Sequence, residues 1–237
     1  MTWGELVEGL FPAGHDVAAE GPVLRGTGRA PAGEVAVLGT HGAAEVGVET
    51  ALRLAAGVLQ VVRQHPGRPI LVLVDTAGQR MSRRDELLGL NGYLGHLAAC
   101  VELARQRGHK LLALVYGQAS SGGLLPLGFM ADEIHAVAGA HLWVMALPAM
   151  ARVTKLPLER LEALSRTSPV LAPGLDRYLA LGGVDQVWTA PLAEGLAAAL
   201  ARPAGPDRRA ALGAERGGRT LAAAVAARVA GGRRFDG

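Results

Sequence analysis

Ile70-Leu71-Val72-Leu73-Val74 is an unbroken apolar run, rich in β-branched residues, that stops at Asp75-Thr76-Ala77-Gly78. Such a run suits a strand covered on both faces, as parallel sheets require. Residues 111–116 (Leu-Leu-Ala-Leu-Val-Tyr) repeat the pattern and feed Gly117-Gln118-Ala119-Ser120-Ser121-Gly122-Gly123. Between the two runs, Leu87, Leu90, Leu94, Leu97, Val101 and Ala104 recur at spacings of three and four, which predicts a helix closing at Gly108. Upstream, a strand is expected at 35–38. A helix follows through Val48, Leu52, Ala55, Leu59 and Val62, ended by His65-Pro66-Gly67. Downstream, an apolar helix is expected over 124–131 and short strands near 134–137 and 142–145. Strand alternating with helix implies right-handed crossovers and an α/β fold.

The flanks read less regularly. Residues 1–33, rich in Gly, Pro and Ala, suggest a short helical start and an irregular lead-in. Residues 156–188 read as helical with a tight turn at Leu181-Gly182-Gly183-Val184-Asp185, followed by Ala-rich helices at 192–201 and 220–229 around a Pro/Gly break at 203–206. The expected organisation is a domain over 1–205 and an Ala/Arg/Gly-rich helical tail over 206–237.

Composition narrows the function classes. The chain has 237 residues, half of them hydrophobic, with 24 Lys+Arg, 21 Asp+Glu and one cysteine. That suits one sizeable domain and excludes a disordered chain or a disulfide scaffold. No basic n-region with an apolar stretch opens the sequence, and no apolar run nears the ~18 residues of a membrane span. A cytoplasmic protein is expected, with no membrane requirement. Only Lys110 and Lys155 are lysines. The arginines are scattered, with small groups at Arg80/Arg83/Arg84, Arg208/Arg209 and Arg233/Arg234, and aromatics are 4%. Nucleic-acid domains concentrate such charge and interleave aromatics, so no nucleic-acid partner is expected.

Two stretches look chemical, and both follow strand ends, where open α/β sheets bind ligands. One is Asp75-Thr76-Ala77-Gly78 with Arg80, Arg83 and Arg84 behind it. The other is Gly117 to Gly123. Glycines permit positive φ and close approach to the main chain, and paired N–H groups aimed at one point make an oxyanion hole. The same glycines suit a simple tight turn equally well.

The Gly-Gln-Ala-Ser-Ser-Gly-Gly turn between a strand and an apolar helix resembles the superfamily joining crotonases, Clp-type proteases and biotin carboxyltransferases, and implies a spiral of ββα units. A serine peptidase needs a histidine base. The stretch matching the Clp histidine context is Val144-Met145-Ala146-Leu147-Pro148, which has none, and His135 and His141 are offset from that place. A hydratase would carry acids on the helix after the turn, and none precedes Asp132. Asp75-Thr76-Ala77-Gly78 instead resembles the Asp-Thr-Pro-Gly of carboxyltransferases, with Glu86 in the following helix in a similar context. Together with Trp3-Gly4-Glu5, Gln79, Tyr116 and Met145-Ala146-Leu147-Pro148, these motifs resemble malonate decarboxylase gamma subunits over roughly residues 1–205.

That resemblance implies a subunit that forms, with a beta subunit, a site converting a malonyl thioester on an acyl carrier protein into the acetyl thioester and CO₂. An alpha subunit transfers the carrier. It implies no cofactor on this chain, the CoA-like prosthetic arm coming from a partner. Lys110 and Lys155 do not lie between methionines, so neither is a biotinyl site. Gly122, Gly123 and Gly78 are the expected catalytic amide donors; Ser121, Gly117, Gln118, Arg80 and Arg83 are the expected substrate or carrier contacts, with no metal. Ser121 is not expected to be a nucleophile. Tyr116, His96, Glu86 and His41 are candidate acids or cleft residues, each equally suited to packing or surface roles. Cys100, on the apolar side of its helix, reads as core. A non-catalytic scaffold, or a carboxyltransferase subunit of a biotin-dependent carboxylase, are the alternative readings.

Overall fold

The two apolar runs pair in parallel register, from Ile70 against Leu111 to Val74 against Val115, and every one of those ten residues is at most 1% exposed. At ~25 cal/mol per Å² of apolar surface buried, each of the nine Val, Leu and Ile side chains stabilises the fold by roughly 1.5–3 kcal/mol and Ala113 by less, so this pair is the centre of the core. The computed structural model describes residues 1–167, 173–203 and 205–232.

The chain opens with α1 (Trp3–Leu10), fixed by a capping box between Thr2 and Glu5, and an antiparallel hairpin of β1 (Ala18–Glu20) and β2 (Val23–Ala30). Then come β3 (Gly33–Thr40), β4 (Ala44–Val46), α2 (Val48–Gln64), β5 (Ile70–Gln79), α3 (Arg83–Leu87), α4 (Leu90–Gln106) and β6 (Leu111–Ser120). A four-residue α5 (Ser121–Leu124) runs into a π-helical turn, Leu125–Phe129. Next are β7 (Glu133–Val137), β8 (His141–Trp143), α6 (Leu147–Thr154), α7 (Leu158–Thr167), α8 (Leu175–Ala180) and β9 (Gln186–Trp188). The chain closes with α9 (Leu192–Ala201), α10 (Arg209–Glu215) and α11 (Ala222–Gly231).

The sheet order is β1-β2-β3-β5-β6-β7-β9, antiparallel through β3 and parallel beyond it. Strands β5 and β6 each take two partners on one side. Strand β5 pairs with β3 along its first half and β4 along its second; β6 pairs likewise with β7 and then β8. The segments β3-β4-α2 and β7-β8-α6 are thus equivalent ββα units, the spiral arrangement expected from the sequence. No helix among the described residues is long and apolar enough to cross a membrane.

Several boundaries differ from expectation, each for a physical reason. Asp75–Gly78 reads as a loop from its polar and small residues, yet β5 continues to Gln79 because β4 and the end of β6 supply partners across a register shift at Val74/Thr76. Residues 117–120 likewise stay in β6, paired with β8. The 124–131 helix is only α5 plus the π turn: Pro126 has no N–H to return to a carbonyl one turn back, and the coil widens. The lead-in holds β1 and β2, and Gly26 and Gly28 in β2 mask the strand signal; a Cβ on Gly28 would stand 2.4 Å from the Phe11 ring. The short β9 and α10 carried no periodicity of their own. The expected division at 205/206 separates α9 from α10, yet α10 buries Leu212 and Gly213, and Arg216 donates to the carbonyls of Leu179, Val184 and Asp185. Of the arginine groups, Arg233 and Arg234 lie outside the described residues.

At the amino ends of β6 and β7, Glu133 is 14% exposed and meets Lys110 at 3.1 Å, Arg202 at 2.5 Å and His135 at 3.2 Å. His135 is fully buried and stacks on Trp188 at 4.5 Å. Lys110 also donates to the carbonyls of Ala199 and Arg202, clamping the end of α9 onto the sheet. Burial alone would raise the Glu133 carboxyl, but the His135, Arg202 and Lys110 groups facing it outweigh burial and hold it well below the usual carboxylate range. Its stabilising effect is therefore complete above the ordinary value of ~4.3 and is lost as pH falls toward the lowered folded value. Glu133→Gln leaves two cations unpaired and is expected to cost about 3 kcal/mol at neutral pH, the low end for a broken buried pair. Urea unfolding from pH 7 to pH 3 should show wild type losing more stability than the variant.

Candidate active site

Because β4 runs parallel to β5 and β8 parallel to β6, the carboxyl ends of all four strands lie on one edge of the sheet. The two sequence stretches that looked chemical meet there, in register: Thr76 pairs with Ala119. Asp75 locks them together. Its half-buried carboxylate accepts the Ala43 N–H at 2.9 Å and the Gln118 N–H at 3.0 Å, joining the turn before β4 to β6. Its own N–H donates to the Thr40 hydroxyl at 3.3 Å. Gly117 is glycine for this reason, since a Cβ there would stand 2.3 Å from Asp75 Oδ1.

One layer closer to α5, Thr76 is fully buried, its hydroxyl donating to the Ala44 carbonyl at 2.7 Å and accepting the Gly78 N–H at 3.0 Å. Gly78, at φ +105°, is buried with its amide turned back onto Thr76; it does not present a donor to the open edge. Gly123 is also buried, and a Cβ on it would stand 2.4 Å from Thr76 Oγ1. Gly122 is half-buried and its N–H donates to Gln79 Oε1 at 2.9 Å. Ser120 donates to the Ala77 carbonyl at 3.0 Å. The backbone of Ser121 opens α5; its side chain lies outside the described residues.

The arginines separate. Arg80, half-exposed, lies 4.0 Å from Glu49 and 3.9 Å from Asp85, and Arg84 also pairs with Glu49 and Asp85. Asp85 is fully buried and takes the Ser82 hydroxyl at 2.9 Å, so Arg80 and Arg84 anchor α3 to the start of α2. Arg83 is exposed, with no ion pair within 4 Å among the described residues.

Tyr116 is buried, and its hydroxyl donates to the Thr40 carbonyl at 2.9 Å. Burial first, then the Asp75 charge, pushes its phenol further up, which keeps it neutral. His41 is tied to the Gly21 carbonyl at 2.7 Å. His96 is exposed on α4, 3.6 Å from Cys100 Sγ, whose thiol burial raises; Glu86 is exposed on α3. Among the described residues no group of three or more His, Cys, Asp or Glu is placed to hold a metal ion. Gln79, Asp75 and Thr76 are the residues to which sequence reasoning gave no individual role. Their only signal was membership of the Asp-Thr-Ala-Gly-Gln stretch.

The family model of the malonate decarboxylase gamma subunit matches residues 42–233. The chain belongs to the malonate decarboxylase gamma subunit family. It is 34% identical over 204 residues to malonyl-S-ACP:biotin-protein carboxyltransferase MADD of Malonomonas rubra, covering 77% of this chain and 70% of that one. Among solved structures it resembles a chain of a Pseudomonas malonate decarboxylase hetero-tetramer in complex with coenzyme A, with TM-score 0.80 and 26% identity, over 97% of this chain and 98% of that chain. A transcarboxylase 12S chain shares the fold at TM-score 0.70 and 18% identity, over 85% of this chain and 42% of that chain. The family match includes α10 and α11.

The two adjacent glycines differ in what surrounds them. Gly123→Ala must displace the buried Thr76 and is expected to cost about 1–3 kcal/mol. Gly122→Ala meets the more exposed Gln79 side chain, Oε1 at 2.8 Å and Cβ and Cδ at 3.3 Å, and should cost less. Denaturant unfolding of the two variants checks the order.

Proposed function

We propose that this chain supplies one side of a site that removes CO₂ from a malonyl thioester carried on an acyl carrier protein, as a lyase subunit active only in complex. The observation that supports the reading is the Gly122 amide, half-buried at the carboxyl edge beside Gly123 and bonded there to a neutral side-chain amide, that of Gln79. Membership of the malonate decarboxylase gamma subunit family supports an oxyanion-stabilising role for such an amide. When the C–C bond to the carboxylate breaks, its electron pair moves into the thioester and the oxygen becomes an enolate oxyanion. Pre-aimed N–H donors lower that barrier, a single donor typically contributing a factor of about 10²–10³. Protonation of the carbon then gives the acetyl thioester. On this chain the donors are the amides of Gly122 and Gly123, with Ser121, Gly117 and Gln118 bordering them. Gly78 acts through Thr76 as packing.

A beta-type subunit is the proposed partner that completes the site. The Pseudomonas relative is a hetero-tetramer, and the same edge exposes Met81, Leu87, Leu88, Leu125, Val144 and Met145, apolar surface that suits burial against another chain. The acyl carrier protein and the alpha transferase subunit complete the assembly, with the CoA-like arm coming from the carrier and no cofactor held here. Arg83, exposed and without an ion pair among the described residues, is the proposed contact for an arm phosphate, while Arg80 holds α3. A second reading, in which the carboxyl group passes to a biotin protein, is favoured by the Malonomonas rubra relative. Both readings share the enolate and hence the same donors.

Reconstitution tests this. The chain alone should release no CO₂ from malonyl-carrier, and addition of the beta-type subunit should restore release. Ser121→Ala should retain most of that rate, since an unassisted serine is a poor nucleophile. Turnover by the single chain, or stoichiometric labelling of Ser121 by a fluorophosphonate, would overturn the reading. Activity of the complex that survives loss of this chain would leave it a scaffold.

A further inference from the structure

The Gly122 N–H, the donor assigned above, has an acceptor already. Gln79 ends β5, and its Oε1 lies 2.9 Å from Gly122 N. Its atoms also stand where a Gly122 side chain would go, Oε1 at 2.8 Å and Cβ at 3.3 Å from an ideal Cβ. Gln79 therefore takes the Gly122 N–H and also crowds the place where a Cβ on that residue would stand. A thioester oxygen arriving there must replace one acceptor by another.

We infer that Gln79 is a positioning residue that occupies the Gly122 amide while the site is empty and yields it to the thioester oxygen of the bound malonyl group. This rests on the function proposed above. A half-buried N–H without a partner would be costly, and one paired with a neutral amide oxygen is held only modestly, so exchange is cheap. A neutral acceptor matters. A carboxylate in the same place would make a charge-assisted bond roughly twice as strong and would not readily leave. It would also repel the oxygen as negative charge develops on it. Gly123 differs: a Cβ on it would stand 2.4 Å from the buried Thr76 hydroxyl oxygen, so the core sets its backbone position. The two adjacent donors are thus unequal, one waiting behind an exchangeable side chain and the other set by the buried core.

The test uses the reconstituted complex with malonyl-carrier as substrate and two variants, Gln79→Ala and Gln79→Glu. Gln79→Ala removes the competitor, and KM should fall about fivefold with kcat near wild type. Gln79→Glu keeps the shape and adds a charge, and kcat/KM should fall about tenfold or more at pH 7. That loss should diminish as pH drops toward the carboxyl's range near ~4.3, giving an acid-side recovery that wild type lacks. A purely structural Gln79 would not produce such a pH profile. Should Gln79→Ala lower the melting temperature, the isosteric Gln79→Glu profile decides alone. Wild-type kcat, KM and pH profile in Gln79→Glu would overturn the inference while leaving the decarboxylase reading intact. So would an equal kcat loss in both variants with unchanged melting. No CO₂ release from the wild-type complex would instead overturn the reading beneath it.

Discussion

Everything at the carboxyl edge depends on where the Asp75 carboxylate sits. It takes N–H groups from two segments far apart in sequence, Ala43 and Gln118, and its crowding forces glycine at 117. A carboxylate that accepts two backbone N–H groups gains charge-assisted bonds while satisfying donors that would otherwise be orphaned at a strand end. With Thr40 joined to it from β3 and Tyr116 closing on Thr40, three strands are fixed relative to one another before any catalytic group is placed. Thr76 repeats the device one residue on, with a buried hydroxyl instead of a charge. The amides of Gly122 and Gly123 then stand on a rigid base, as a preorganised donor pair requires.

The two ends of the sheet hold charge for different ends. At the amino edge, Glu133 gathers Lys110, Arg202 and His135 to clamp α9, and its electrostatics concern stability. At the carboxyl edge, Arg80 and Arg84 pair with Glu49 and Asp85, whereas Arg83 is exposed with no ion pair among the described residues. Chemistry that stabilises an enolate through main-chain amides needs little from side chains. Of the titratable candidates, Tyr116 is bonded to the Thr40 carbonyl, His41 to the Gly21 carbonyl, and His96 lies exposed beside Cys100.

The central strands and the helices between them were legible because burial on both faces writes a continuous apolar run and a helical face writes a three-and-four spacing; α9 matched its expected limits, 192–201. The extension of β5 through Gly78 was not. Its pairing with β4 depends on a three-residue strand that no local pattern marks. For the candidate site, the motifs mark the two stretches that meet at the carboxyl edge but not where each amide points. Gly78 and Gly122 look alike in sequence. Only the fold turns the Gly78 N–H onto Thr76 and the Gly122 N–H onto Gln79. A side chain that covers its neighbour's amide from 43 residues away has no signature in one sequence.

The central claim is that the substrate oxygen is held by this chain's own main-chain amides at the end of β6. The most direct measurement is the structure of the assembled complex with a malonyl thioester analogue that cannot lose CO₂. The account predicts the thioester oxygen about 2.7–3.1 Å from the Gly122 or Gly123 nitrogen, with Gln79 Oε1 withdrawn from Gly122. An oxygen held only by the partner subunit's donors, with Gly122 still bonded to Gln79, would contradict it.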